Sequence, residues 1–506
     1  MKKLTSLLLA LVMVVSMLPG TAVPVAAAGT DPTIEANYLA AVPTTDGKLD
    51  EALWLLRDKI GSTPITVVCN EDKFFVGMKT NESKLSFTIN EVAVEVDLDG
   101  KVVLVDGEKV GTCAKDDTAG TAEAEIPLSA VGMVYAVKQD VPFAATIGSD
   151  SYNGQLAVAY KEIKVADNFA NLAGAAYAKD IGLNKTTQEV YSEQVEGGGI
   201  HFKTGTLTEA GNMLNAPKWN AGVINNNIGW EMSFTADFND LPVANQLGYL
   251  ALCGIAIDIR AEEYIRIGFF ADDKGNVRVS LYDEPADLTK NFDTGVDLGA
   301  KNVDVKIVVT DDFTSQVFVN GKSVANFPNP TRTTAPSGIY FSATTLRRDA
   351  SKDNKTDVVI YDFLLTQAAP NAKLNVSRAE GIKQDGSLSE PFWTMESVKK
   401  GTQFATLCDG QNLYIGLDST ESVVNFEING TKAKATLGKA PKFELGFTMG
   451  PSIKANGSGQ YEIAIPLGLF GIAEPAGQKV PFSIMVGNTT RTYDMYVGVG
   501  AVLTVA

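Results

Sequence analysis

The sequence predicts an all-β protein: three β-sandwich or jelly-roll domains in tandem, the outer two an internal repeat. Three observations predict it. Asp46-Gly47-Lys48-Leu49-Asp50-Glu51-Ala52-Leu53-Trp54 returns as Asp385-Gly386-Ser387-Leu388-Ser389-Glu390-Pro391-Phe392-Trp393, an interval of 339 residues. That interval also carries Cys69 onto Cys408, Phe75 onto Tyr414, Gly77 onto Gly416, Asn90 onto Asn429, Glu123 onto Glu462 and Pro127 onto Pro466, with no gap needed between anchors. A constant offset over so many landmarks marks one module used twice. Finally, short apolar runs alternate with Gly, Asp and Asn turns along nearly the whole chain, which is the pattern of antiparallel sandwiches.

The first residues stand outside the fold. Lys2-Lys3, an apolar run from Leu7 to Leu18, and Ala26-Ala27-Ala28 read as an export signal over residues 1–28. No cysteine follows the run to take a lipid anchor, and no later apolar stretch approaches ~20 residues. The expectation is a secreted chain with no membrane insertion. Its net charge of −17 argues against a basic nucleic-acid groove. Of the four cysteines, Cys69 and Cys408 fall at matching places in strand-like runs, Cys113 matches Ser452, and Cys253 lies in an apolar run. Buried thiols are favoured over bridges, and a Cys69–Cys113 disulfide stays open.

The first sandwich is assigned to residues 29–166. Strands are expected over residues 34–42, 65–69, 74–79, 84–89, 92–98, 102–105, 122–126, 141–147 and 156–165. Asp46-Gly47 is read as a turn, and Leu49 to Trp54 as a short helical or irregular segment that turns Leu49, Leu53 and Trp54 inward. Residues 167–368 form the central domain, opening on an irregular bridge over 167–199. There Trp230, Met232, Phe234, Ala236 and Phe238 alternate with Glu231, Ser233, Thr235 and Asp237, a half-buried strand. Val303, Val305, Ile307 and Val309 make another. Asn320-Gly321 suits a type I′ hairpin, whose central residues both need positive φ. Residues 369–372 are a linker, and 373–506 the second sandwich.

The repeated module resembles the family 9 carbohydrate-binding module and its wider β-sandwich relatives. The residues that carry the likeness are the opening at Asp46, Gly47, Leu49 and Trp54 (Asp385, Gly386, Leu388 and Trp393 in the second copy), the Lys73-Phe74-Phe75-Val76-Gly77 strand, and a later Glu-x-x-Ile-Pro-Leu. The central domain is similar to a laminin-G or concanavalin-type jelly roll, through Phe318-Val319-Asn320-Gly321-Lys322 and Val359-Ile360-Tyr361-Asp362-Phe363. Both resemblances imply extracellular glycan recognition, with a polysaccharide or cell-wall glycan as partner. The family 9 resemblance also implies a two-tryptophan sugar clamp and bound calcium. Each outer copy holds one tryptophan, so the fold transfers and the clamp does not.

Trp54 and Trp393 could stack on a sugar ring, but their spacing from Leu49 and Leu388 favours a plug in the sandwich base. Trp219 sits among Asn215, Pro217, Asn220 and Asn225-Asn226-Asn227. An aromatic among amides is the composition of a sugar subsite, since amides supply paired donors and acceptors. It is the leading ligand-binding candidate, and Tyr152, in Asp150-Ser151-Tyr152-Asn153-Gly154, is the second. Asp272, Asp273 and Asn276, Asp311 and Asp312, and Asp97 with Asp99 suit tight turns better than calcium. No metal site is assigned, and calcium stays open without one.

His201 is the only histidine, and no Gly-x-Ser-x-Gly elbow is present, which disfavours nucleophilic and zinc hydrolysis. A two-carboxylate glycosidase needs no histidine, but the strand from Glu231 lacks the Glu-x-Asp-x-x-Glu of jelly-roll glucanases. The function expected is therefore secreted, non-catalytic carbohydrate binding that supports extracellular carbohydrate catabolism. A structural or adhesive surface spacer is the alternative, and a glycoside hydrolase comes last.

Overall fold

The computed structural model describes residues 31–504 apart from 134, 136–137, 170–189, 196–197, 205–211, 220–223, 225–227, 242, 244–254, 261–264, 282–290, 312–313, 328–337, 346–355, 400, 446–450, 473–476 and 488. Residues 1–28, read above as the export signal, lie outside that set, as do Cys253 and Asp312. The described chain is built almost wholly of β-strands, as the sequence predicts. Among the described residues no helix is long and apolar enough to cross a membrane.

In the first sandwich the strands Thr63–Cys69, Lys73–Lys79 and Thr121–Pro127 pair in antiparallel register. Residues 67, 69, 74 and 76 face the main core with Ile34, Phe87 and Phe143. Val68 and Phe75 point the other way and are buried too, under Trp54. Burial of both faces explains why Lys73–Lys79 reads as an unbroken apolar run rather than an alternation. The segment that carries Trp54 is an irregular cover over the back of the sheet. The expected plug of the sandwich base thus lies outside the sandwich interior.

That cover is held by one buried carboxylate. Glu123 is 2% exposed, and its Oε2 accepts from the backbone N–H of Asp46 (2.9 Å) and Gly47 (2.7 Å). In the second copy Glu462 is fully buried, and its Oε2 accepts from Asp385 (2.7 Å) and Gly386 (2.6 Å). Gly47 is obligatory twice over. Its φ is +90°, and a Cβ there would meet the Lys115 backbone at 2.5 Å. The indole N–H of Trp54 donates to Glu51 at 2.8 Å, and that of Trp393 to Glu390 at 3.1 Å. Each ring lies on a glycine of the sheet: a Cβ on Gly77 would meet Trp54 at 2.5 Å, and one on Gly416 would meet Trp393 at 3.0 Å.

The registers of the two copies match position for position: Val68 pairs Phe75 as Leu407 pairs Tyr414, and Glu123 pairs Gly77 as Glu462 pairs Gly416. Two stretches depart from the gapless reading. In the opening strand Ile34 pairs Leu156, but Leu374 pairs Met495, one residue beyond the constant offset. Val94 pairs Val105, but Ala433 pairs Leu445, one residue beyond the constant offset. The turn at residues 117–120 is then one residue shorter in the second copy, and the offset is restored. Ile453, rather than Ser452, accordingly takes the place of Cys113. Cys69, Cys113 and Cys408 are free and buried. Burial pushes the Cys69 thiol up to about 12 and the Cys113 thiol up to about 11. Cys69 donates to the Ala36 carbonyl and Cys113 to that of Asp97, so the bridge left open above is not formed.

The central domain packs two sheets around Trp230, Met232, Phe234, Phe238, Phe269 and Val305, as the alternation predicts. Asn320 and Gly321 both take positive φ, 47° and 75°. The expected boundary at residue 166 is not a break, however. The strand Asp150–Asp167 pairs over residues 150–158 with Gln139–Ile147 of the first sandwich. Over residues 161–167 it pairs with the closing strand of the centre, Asp357–Ala368. One sheet therefore runs through both domains. The second sandwich forms a separate sheet. It rests on the first through Arg491, which donates to Gln139, and through the short link after Ala368, where Tyr135 donates to the Pro370 carbonyl at 3.0 Å.

The clasp sets a pH dependence. Burial raises the Glu123 and Glu462 carboxyls to about 7, against amide donors that favour the charged form. Below the unfolded value of ~4.3 both states hold the proton; between there and about 7 only the native state holds it, and above that both have given it up. Native stability should therefore fall as pH rises from 5 to 8, read as a lower urea midpoint. Glu123→Ala with Glu462→Ala should flatten that slope. The double variant should also cost about 1–3 kcal/mol for each amide left unpaired.

Candidate functional site

The shared sheet brings polar residues from seven strands to one place. A cavity of about 240 Å³ lies at the junction of the first sandwich and the centre. From the first sandwich come Glu35 and Asn37 of Ile34–Tyr38, Thr66 of Thr63–Cys69, and Arg57 and Asp58 just past the tryptophan cover. The through-strand supplies Lys161 and Ile163. From the centre come Glu231 and Ser233, Lys306, and Leu364 and Thr366. Glu231 and Ser233 belong to the polar side of the strand whose other side is the core, so the face expected to meet solvent forms a wall instead.

The wall is fixed by bonds across the junction. Lys161 Nζ lies 2.8 Å from Glu231 Oε1 and 3.2 Å from Glu35 Oε1. Burial would lower the lysine, but the two carboxylates outweigh it and hold its pKa above the ordinary value. Arg57 donates to Ser233 Oγ at 2.6 Å and to the Ser233 carbonyl at 3.2 Å. Asp58 sits beside these groups half-buried. Burial and the neighbouring Glu35 raise its carboxyl to about 7, with Arg57 pulling the other way. Near neutrality the cleft thus offers donors and acceptors in close alternation, with Leu53, Leu55 and Leu364 as apolar floor. Its volume falls below the roughly 300–1,000 Å³ of ordinary small-molecule sites, which suits one small polar unit.

A second, larger groove of about 490 Å³ lies on the outer face of the second sandwich, among Asn425, Glu427, Lys432, Lys434, Glu444 and Met485. The equivalent positions of the first copy are Ser86, Thr88, Ala93, Glu95 and, with the one-residue shift noted above, Leu104. The charged face is therefore not a property of the module. Its side chains are largely exposed, whereas those at the junction are held by short bonds, which is what pre-organises a site.

The structure does not gather the residues singled out by sequence. Tyr152 is 5% exposed and lies beside Phe143, with ring centroids 5.5 Å apart. Its hydroxyl donates to the Pro32 carbonyl at 2.5 Å. No ring face is open to a sugar there, which corrects the sugar-facing reading. Trp219 ends the strand Asn212–Trp219, pairing with Ile339, rather than standing in a loop; its side chain and most of the amide-rich stretch after it lie outside the described residues. Trp54 and Trp393, at 4% and 8% exposure, are buried. Asp272 closes a turn by accepting from the Lys274 and Asn276 amides, each at 2.9 Å. Asp97 does the same for Gly100 at 2.8 Å. His201 Nε2 lies 2.8 Å from Asp357 Oδ1, which also accepts from Asn239.

The cleft residues escaped sequence reading because they are scattered from Glu35 to Thr366 and share no motif. The one local signal is Lys161-Glu162-Ile163-Lys164, a charged run inside a strand.

No protein-family profile matches the chain, and no curated protein matches it. Among solved structures, alginate lyase Aly36B overlaps at TM-score 0.25 and 12% identity, over 42% of this chain and 99% of that one. Alginate lyase PA1167 from Pseudomonas aeruginosa gives 0.25 and 14%, over 37% and 89%. The carbohydrate recognition domain of Emp47p gives 0.22 and 15%, over 36% and 88%. Overlaps this slight fix neither the arrangement of the domains nor a site.

Lys161 is the hinge of the junction charges. A double-mutant cycle of Lys161→Met and Glu231→Gln, read by urea denaturation, should give a coupling of about 0.5–3 kcal/mol. Lys161→Met alone should be the more damaging change, because it leaves Glu35 and Glu231 facing each other without the cation that bridges them.

Proposed function

We propose that the protein is an extracellular, non-catalytic carbohydrate-binding protein whose ligand contact is the junction cleft. One observation carries this reading: charged and amide groups from two domains converge, already bonded to one another, on a small cavity with an apolar floor. Hydroxyl-rich ligands need closely spaced donors and acceptors, and domain junctions are where such sites are found. The cleft takes one sugar unit at a time, so its affinity for a polymer comes from repeated engagement rather than from a long groove. The tandem modules then hold the chain on an extracellular polysaccharide or cell-wall glycan.

The continuous sheet favours a second reading. A strand shared by two domains ties them together through one ladder, which is also what a surface spacer requires. In that case Lys161 and Arg57 serve only to join the domains.

A glycan array probed with the purified protein, with and without calcium, separates the two. Binding that Asp58→Ala and Asn37→Ala weaken at least tenfold, with the urea midpoint unchanged, is the outcome expected for a ligand site. Absence of binding by the unsubstituted protein would leave the spacer. Release of shortened sugars from a bound glycan would show a hydrolase or lyase and end the non-catalytic reading.

A further inference from the structure

The charges of the junction cleft are balanced in number but not in use. Three acids, Glu35, Asp58 and Glu231, line it with three bases, Arg57, Lys161 and Lys306. All three bases are engaged. Lys161 Nζ lies 2.8 Å from Glu231 and 3.2 Å from Glu35. Arg57 donates to both the hydroxyl and the carbonyl of Ser233. Lys306 Nζ stands over the Phe318 ring, 5.0 Å from its centroid. Of the acids, Glu35 and Glu231 share Lys161. The Asp58 carboxylate is the one charged group of the wall with no hydrogen bond or ion pair among the described residues.

The field at Asp58 has a sign as well. Burial is the main cause that raises its carboxyl, Glu35 comes next, and Arg57 opposes them with a smaller effect. The acid beside it thus outweighs the base, and a cation placed there would gain from two carboxylates. A ligand must supply what the wall lacks. A carboxylated sugar would have to draw Lys161 from its two acids or Arg57 from Ser233, while setting a like charge near Glu35 and Asp58. A neutral sugar would offer Asp58 hydroxyl donors only. An ammonium group answers it better, because a charge-assisted hydrogen bond is roughly twice as strong as a neutral one.

Resting on the reading of this cleft as the carbohydrate site, we propose that it selects a sugar unit with a free, protonated amine, and that Asp58 is the counter-ion. Leu53 and Leu55 lie under the ring, and the amine points to the acidic side of the wall. An acetyl group on the same nitrogen would remove the charge and add bulk in a cavity of about 240 Å³. The ligand class is then a de-N-acetylated amino sugar within an extracellular glycan.

Ligand-observed NMR titration of the whole protein tests this with three disaccharides: glucosamine, N-acetylglucosamine and galacturonate. The glucosamine disaccharide should bind at least about tenfold tighter than its N-acetylated form, with the uronate weakest. Asp58→Asn, which keeps shape and hydrogen bonding, should cut that ratio below about threefold while the N-acetylated affinity holds. An unchanged urea midpoint shows that the variant is folded. Since a chain of net charge −17 attracts any cation, Glu95→Gln serves as a control: it removes an exposed acid of the strand Val92–Asp97 and should leave the ratio as it was. Equal affinity of the unsubstituted protein for the amine and N-acetyl forms overturns the inference. So does preference for the uronate, or a preference for the amine that survives Asp58→Asn; in each case the carbohydrate reading itself stands. Failure of all three to bind also overturns the inference, and the glycan array then decides whether the carbohydrate reading falls with it.

Discussion

The outer domains depend on a carboxylate buried with no counter-charge beside it among the described residues. Glu123 and Glu462 each sit on the back of a sheet with one oxygen gripping two turn amides. The other oxygen, Oε1, has no partner among the described residues. A buried acid so incompletely satisfied is costly, and its presence in both copies points to what it secures. Without the grip the Asp-Gly turn is free, and with it the irregular segment that covers Val68 and Phe75, or Leu407 and Tyr414. The tryptophan on its glycine completes the same cover. The motif is thus a way of burying the second face of a sheet without adding another sheet or a helix.

Placing that cover on the outside has a consequence for the junction. The segment ends at Leu55, Leu56 and Arg57, with the Leu56 amide tied to Thr66 Oγ1 at 2.7 Å. Arg57 and Asp58 are thereby delivered to the edge where the through-strand enters the centre. The cleft follows from two facts: a cover that stops at the right place, and a strand long enough to belong to two domains. Its charges secure the joint, since Lys161 bridges acids from both sides.

Much of the fold was legible in sequence. Nearly every predicted strand appears with bounds shifted by a few residues, because alternation and turn residues act locally. In the first sandwich three short strands went unread, Asp58–Ile60, Glu108–Gly111 and Cys113–Asp116, and in the centre so did Asn291–Asp297 and Val190–Gln194, the latter inside the stretch read as an irregular bridge; they are too brief and too polar for a period to show. The compensating one-residue shifts were invisible because a pair of opposite changes in two turns leaves the overall offset intact. The candidate site was not legible. Tyr152 looked like a loop aromatic because its neighbours are turn residues, yet an 18-residue strand passes through it.

The sequence by itself determined the β class, the repeated module, the motif glycines and the buried side of each strand, all of which rest on spacing along the chain. Tertiary structure alone decided three matters: the side of the sheet on which the tryptophans lie, the sheet shared across the expected boundary, and the meeting of Glu35, Asp58, Lys161 and Glu231. The physical reason is that periodicity reports which side of a strand is apolar but not what packs against it. Long-range pairing between residues 161–167 and 363–368 leaves no mark on either segment read separately.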